Sequence, residues 1–283
     1  MGTRKARTQS TVAFLGAGNM AGALIKGLLD ARRNRPDQII ASDIREQRLA
    51  ELRRDFGIKT EPDNRRALAM AQTVVLSTKP QVLSALLPEI AGSVRPDQLL
   101  LSIAAGVPLS VIESSLPQGS RVIRAMPNTP ALVQAGATGL AAGSNATDQD
   151  LESAKQVFEA VGTVAVVQES LLDAITGLSA SGPAYVFVFI EALADAGVEM
   201  GLTRVSAQRL AAQTVLGSAR MVMEAGEHPA QLKDAVASPG GTTIAGLQAL
   251  EAGGLRKAVG DAVRKATERS RELGLEAASK LTD

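Results

Sequence analysis

Gly16 and Gly18 end an apolar run, Thr11-Val12-Ala13-Phe14-Leu15, and Ala21 and Gly22 open the segment Ala23-Leu24-Ile25-Lys26-Gly27-Leu28-Leu29. Each position has a physical use. Gly16 can take turn dihedrals that a Cβ forbids. Gly18 lets the backbone of Ala17, Asn19 and Met20 come close to a bound group. Ala21 is small enough for a helix to lie close on a strand. The exposed N–H groups of a helix start attract an anion. A strand, a tight glycine turn and a helix start in this order suit the pyrophosphate of a dinucleotide. An ordinary strand-to-helix turn is the plainer reading of the same residues.

Further loops fall where later strands should end. Ser77-Thr78-Lys79-Pro80, Ser102-Ile103-Ala104-Ala105-Gly106 and Met126-Pro127-Asn128-Thr129-Pro130 are small or polar, and each follows an apolar run. In an open α/β sheet, ligands bind at such carboxyl ends. Lys79 suits a phosphate, a ribose or a substrate carboxylate, or else is a surface lysine at a strand end. The Asn128 amide suits a carboxamide or substrate group, or else Asn128 is a turn residue between prolines.

The helical half carries Ser238-Pro239-Gly240-Gly241-Thr242-Thr243. Pro239 stiffens the entry, two glycines free the backbone, and Thr242 or Thr243 is expected to cap the helix that follows. The bare N–H groups there form a carboxylate site. The helix dipole adds only about 0.3–1 kcal/mol, and direct hydrogen bonds to a charged acceptor roughly 1.5–3 kcal/mol. Backbone donors would therefore dominate. A well-capped interhelical turn is the alternative.

The elements that must position these loops follow from periodicity. Strands are expected over 12–15, 38–41, 73–77, 99–103, 121–125 and 138–141, with helices over 21–31, 46–56, 80–91 and 109–115. Such alternation gives a parallel sheet covered on both faces. A helix over 148–160 and a strand over 163–167 close this half. From Leu171 onward the pattern is helical: 183–200, apolar on most faces; 203–225 with Thr203 as cap; 243–252; and 255–273 with a solvated charged face. The division is a tail over 1–10, a dinucleotide domain over 11–168 and a helical domain over 169–283. A helix apolar nearly all round calls for a homo-oligomer built through the second half, or for cover by the first domain.

Composition removes other chemistries. The chain of 283 residues has no Cys and a single histidine, His228. Disulfides, thiolate nucleophiles and sites needing two histidines are excluded. A structural role is expected for His228. The net charge of +1 asks for neither nucleic acid nor an anionic membrane. Arg4, Lys5 and Arg7 give a basic start, read as a solvated tail and not a signal peptide. No apolar run is expected to reach membrane-spanning length, and a cytoplasmic home follows.

Taken together, these segments resemble the pyrroline-5-carboxylate reductase family. The likeness is carried by Phe14 through Met20, Lys79-Pro80, Ser102 through Gly106, Arg124 through Pro130, Gly177 through Phe187, Glu227-His228-Pro229, and Leu232-Lys233-Asp234 through Ser238–Thr243. It spans nearly all of the chain after the basic tail. The resemblance implies an N-terminal Rossmann domain and a C-terminal helical dimerisation domain. It implies NAD(P)H-dependent reduction of 1-pyrroline-5-carboxylate to L-proline, in a homodimer that can assemble further into a decamer of five dimers. It places Ser238, Gly240, Gly241, Thr242 and Thr243 on the substrate, with the Thr243 hydroxyl at the ring nitrogen. It places Gly16, Ala17, Gly18, Asn19, Met20, Asn64, Thr78, Lys79, Pro80, Ala104, Ala105, Gly106 and Asn128 around the coenzyme, and no metal.

Coenzyme choice stays open between the two nicotinamides. Asp43 suits a ribose 2′-hydroxyl and so NADH, whereas Ser42 and Arg45 suit a 2′-phosphate and so NADPH, which family habit favours slightly. Two rivals are weaker. A related reductase with a catalytic lysine would have to use Lys233, the one lysine between Lys155 and Lys257, which belongs to the signature loop. A non-catalytic nucleotide-binding regulator would not need Gly240–Thr243.

Overall fold

The computed structural model describes residues 10–282. The tail expected over 1–10 lies outside them except for Ser10, whose carbonyl accepts from Asn34 Nδ2 at 2.7 Å. The chain divides into two compact units, one of residues 1–180 and 265–283, the other of 181–264.

Unit one holds an eight-stranded sheet. Its strands are β1 (Val12–Leu15), β2 (Ile39–Ser42), β3 (Lys59–Thr60), β4 (Thr73–Leu76), β5 (Leu99–Ser102), β6 (Arg121–Met126), β7 (Gly136–Ala142) and β8 (Gly162–Val166). Between them run helices α1 (Asn19–Asp30), α2 (Glu46–Phe56), α3 (Asn64–Ala69), α4 (Pro80–Ala91), α5 (Leu109–Ser114) and α6 (Asp148–Phe158). The strands lie in the order β3-β2-β1-β4-β5-β6-β7-β8. The order reverses direction at β1 and β4, which opens a crevice at their carboxyl ends.

Successive strand residues point to opposite faces, and both faces are covered. Val12 and Phe14 join one apolar cluster with Ile39, Val75 and Leu101, while Ala13 and Leu15 join the other with Ile40, Leu76 and Leu100. Strands buried on both sides read as continuous apolar runs, which is why they are legible in the sequence.

All pairings are parallel save one: β6 and β7 run antiparallel, with Ile123 opposite Ala142 and Met126 opposite Gly139. The expected parallel alternation fails here because residues 127–135 are too few for a crossover, which takes a dozen or more. The two-residue β3 and the short α3 carry too little pattern to be anticipated.

A short helix α7 (Leu172–Ile175) and a π-helical turn (Thr176–Ala180) follow β8. Unit two then consists of α8 (Gly182–Glu199), α9 (Arg204–Ala225), α10 (Pro229–Val236), α11 (Thr242–Ala252) and the first part of α12 (Leu255–Thr282). No strand follows β8 among the described residues. Thr203 caps α9 as expected, its hydroxyl accepting from the Ser206 N–H at 3.2 Å. The last helix runs well past the expected end at 273. Gly274 is no stop; a Cβ there would meet the Gly106 carbonyl at 2.9 Å, so the glycine marks a close approach of α12 to the loop after β5.

The residues α8 and α9 bury between them are small: Ala194, Ala207 and Ala211, flanked by Ile190 and Val198. Phe187 and Val188 remain 64% and 65% exposed. The expectation that no run reaches membrane-spanning length needs correcting. The helical stretch Glu169–Glu199 is 31 residues and holds an 18-residue window of mean hydropathy 1.4, enough by length and composition alone.

Candidate functional site

Gly16 leaves β1 with φ +98, a value an L side chain rarely adopts. A Cβ there would also lie 2.7 Å from the Ser77 carbonyl oxygen and 2.9 Å from Thr78 Cγ2. The turn is held from three sides. The Gly16 N–H donates to the Ser42 carbonyl at 2.9 Å. Ser77 Oγ donates to the Gly16 carbonyl at 2.6 Å. Arg48 Nε donates to the Ala17 carbonyl at 2.8 Å.

Gly18 is the N-cap of α1, in extended conformation and with no side chain capping the helix. A Cβ on Gly18 would meet nothing within 4 Å, so the backbone of Gly18, Asn19 and Met20 is open to an approaching group. Ala21 is buried against the sheet, as helix–strand packing requires.

The end of β2 is wired to this turn. Asp43 Oδ2 accepts the Ala17 N–H at 2.9 Å. Arg45 donates its own N–H and Nε–H to Asp43 Oδ1, both at 2.9 Å, and Nη2 to Oδ2 at 3.0 Å. Burial pushes the Asp43 carboxyl up, and hydrogen bonds from the Arg45 side chain, the Arg45 N–H and the Ala17 N–H outweigh it, holding it at about 2. Ser42 is fully buried and its hydroxyl donates to Asn64 Oδ1 at 2.6 Å. Asn64 in turn donates to Glu89 Oε1 at 3.2 Å. The structure thus forms two adjacent hydrogen-bonded groups here, Gly16 with Ser42 and Asn64, and Ala17 with Asp43 and Arg45.

The other loops sit at neighbouring strand ends. Thr78 follows β4, and its Oγ1 is buried with no partner. Lys79 is exposed and serves as N-cap of α4 through its backbone, with Pro80 as the first helical residue. Ala104 and Gly106 are buried and Ala105 is exposed after β5. Asn128, after β6, is 8% exposed. Its Nδ2 donates to the Ser179 carbonyl at 2.9 Å and its Oδ1 accepts the Ala137 N–H at 2.8 Å. Of the two uses weighed for Asn128, the fold itself engages half of the amide's capacity, leaving one N–H and one lone pair.

These residues fit a dinucleotide. A glycine turn closed to Cβ atoms, an uncapped helix start and an orphaned threonine hydroxyl are donors in search of an acceptor. The motifs do not include Arg48 and name Ser77 only as part of a strand-end loop, yet both brace the turn. Arg48 lies one helical turn beyond Arg45, so a basic pair at that spacing after β2 is the signal that was available.

In unit two, Gly240 takes φ +65 and the Gly241 N–H donates to the Ser238 carbonyl at 3.1 Å. A Cβ on Gly241 would lie 2.2 Å from Ser238 Oγ. The expected threonine cap is corrected: Gly241 is the N-cap, α11 begins at Thr242, and no side chain caps it. The serine folds back over the glycine, and the threonines enter the first turn, where their N–H groups remain available to an outside acceptor. His228 is structural as expected: it caps α10, with Nδ1 accepting the Ala230 N–H at 3.2 Å and its own N–H donating to Gln231 Oε1 at 3.1 Å.

Residues 169–273 match the family model for pyrroline-5-carboxylate reductase dimerisation, and residues 11–106 match that for coenzyme F420-dependent NADP oxidoreductases. The chain is 49% identical over 263 residues to pyrroline-5-carboxylate reductase of Methanosarcina acetivorans, covering 93% of this chain and 97% of that protein. It is similar to the solved pyrroline-5-carboxylate reductase of Coxiella burnetii, with TM-score 0.90 and 38% identity over 94% of this chain and 99% of the other. A Plasmodium falciparum pyrroline carboxylate reductase solved with NADP bound has TM-score 0.84 and 30% identity, over 94% and 98% of the two chains.

Proposed function

This chain belongs to the pyrroline-5-carboxylate reductase family, and from that premise we infer that it reduces 1-pyrroline-5-carboxylate to L-proline with a reduced nicotinamide dinucleotide, NADPH or NADH. The observation that carries the reading to the substrate is the start of α11, where Gly240 and Gly241 deliver an uncapped helical turn.

The chemistry fits the side chains available. When bound, the reduced nicotinamide supplies the hydride that the imine carbon takes up, while the ring nitrogen keeps the proton it acquires. The protein needs neither nucleophile nor metal for this. Its task is to hold two flat rings in register, which can contribute on the order of 7–11 kcal/mol.

In this reading Ser238, Gly240, Gly241, Thr242 and Thr243 hold the substrate, their N–H groups taking the carboxylate. The Thr243 hydroxyl hydrogen-bonds the ring nitrogen and orients it. The backbone of Gly16, Ala17, Gly18, Asn19 and Met20 takes the pyrophosphate. Ser42, Asp43, Arg45 and Asn64 surround the adenosine. Thr78, Lys79, Pro80, Ala104, Ala105, Gly106 and Asn128 line the remainder. The uncapped α1, the orphaned Thr78 hydroxyl and the Asp43 network support these roles.

We place the domain boundary at 168/169, where the dimerisation model begins. The apolar surface of α8 supports a homodimer, with a decamer of five dimers as the larger assembly, and sedimentation of the intact chain reads it. We assign the Glu169–Glu199 stretch to that interface and not to a membrane, the enzyme to the cytoplasm, and no role to nucleic acid.

The deciding experiment is turnover. With 1-pyrroline-5-carboxylate and each coenzyme, absorbance of the reduced nicotinamide should fall as proline appears. Absence of turnover with both would reject the reading.

A further inference from the structure

The carboxylate of Asp43 is saturated. A carboxylate offers about four lone-pair sites, and four donors occupy them: the Ala17 N–H, the Arg45 N–H, and Arg45 Nε and Nη2. Two of these donors are backbone groups fixed by the turn. The other two belong to one guanidinium whose side chain is 60% exposed, against 8% for Asp43. Asp43 therefore cannot accept a ribose hydroxyl unless Arg45 lets go, and Arg45 is the partner with room to move.

The neighbouring groups do not offer a substitute. The Ser42 hydroxyl is turned to Asn64. Arg48 is tied to the Ala17 carbonyl and to Glu51 at 3.0 Å.

Resting on the reductase reading, we propose that Asp43 and Arg45 form a two-position reader of the adenosine ribose, through which this chain uses both coenzymes and Arg45 sets their ratio. In one position Arg45 leaves Asp43 for a 2′-phosphate. In the other it turns to solvent and Asp43 accepts a 2′-hydroxyl. Asp43 stays in place in both, held by the Ala17 N–H.

The test compares wild type, Arg45→Ala and Arg45→Lys by direct binding of NADPH and NADH, read from fluorescence of the reduced nicotinamide at low and high salt, with kcat/KM for each coenzyme alongside. Loss of a charge-assisted contact should weaken NADPH by about tenfold or more in Arg45→Ala. NADH should bind within about twofold of wild type or more tightly, because no guanidinium has to be displaced. The stronger salt dependence of NADPH over NADH should vanish in Arg45→Ala and persist in Arg45→Lys. Equal changes for both coenzymes, or none, would overturn the proposal. So would a wild type that binds only one of them. Arg45 is exposed, so the variants retain the fold. A wild type that binds both coenzymes without turning over 1-pyrroline-5-carboxylate would sink the reductase reading and leave this one standing.

Discussion

Asn128 Nδ2 donates to the carbonyl of Ser179 at 2.9 Å, and the residue four ahead of Ser179 is Pro183. That carbonyl would take its α-helical hydrogen bond from residue 183, and proline has no N–H to give. The residue five ahead, Ala184, donates to Ser181 instead, at 3.1 Å. The π-helical turn therefore leaves an acceptor without a helical partner, and an asparagine 51 positions away supplies the donor.

Asn128→Ala should accordingly destabilise the chain. It strips partners from the Ser179 carbonyl and the Ala137 N–H, and each buried polar group left unpaired costs about 1–3 kcal/mol. Asn128→Asp keeps an acceptor for Ala137 and should fall between. Denaturant midpoints of the three proteins check the order; three equal midpoints would mean that water replaces the amide at no cost.

Gly16→Ala adds a Cβ 2.7 Å from a backbone oxygen at φ +98. Either feature alone costs roughly 1–3 kcal/mol. The variant should lose coenzyme binding together with stability, since the turn must shift. Gly18→Ala meets no atom within 4 Å, so it should keep wild-type stability and lose only coenzyme affinity. Paired titrations of binding and unfolding separate the two positions.

Asp43 makes a pH prediction. Its carboxyl lies at about 2 in the folded chain against an ordinary 3.8. A lowered folded value stabilises the native state above the unfolded value, and that stabilisation disappears as pH falls. The stability gap between wild type and Asp43→Asn should be constant at neutral pH and should close between about pH 4 and pH 2. A gap unchanged down to pH 2 would mean that this network does not lower the Asp43 carboxyl.

Thr243→Val removes one hydroxyl at the head of α11 and keeps the backbone donors. Turnover should drop by about tenfold, the worth of one hydrogen bond to a charged group, while coenzyme affinity holds. Full activity would take Thr243 out of the reaction.

The residues that announce chemistry locally were legible in the sequence: Gly16 because only glycine suits φ +98, Gly18 and Ala21 because a helix start needs open and close-packed backbone, and β1, β2, β4 and β5 because burial on both faces makes them largely apolar. Such demands are met by a residue and its immediate neighbours. Partner choice is different. Asp43 and Arg45 read as rivals for one ribose until the structure showed them bonded to each other, with Asp43 also taking the Ala17 N–H across 26 positions. Asn128 carried two readings in the sequence, and only the fold shows half of its amide engaged, at Ser179 and Ala137. The last helix was expected to end at 273, and the close approach of Gly274 to Gly106 shows it running on. Donors and acceptors far apart along the chain meet only when strands align and helices pack. The geometry that selects among equally suitable partners is therefore a product of the fold and not of any segment of it.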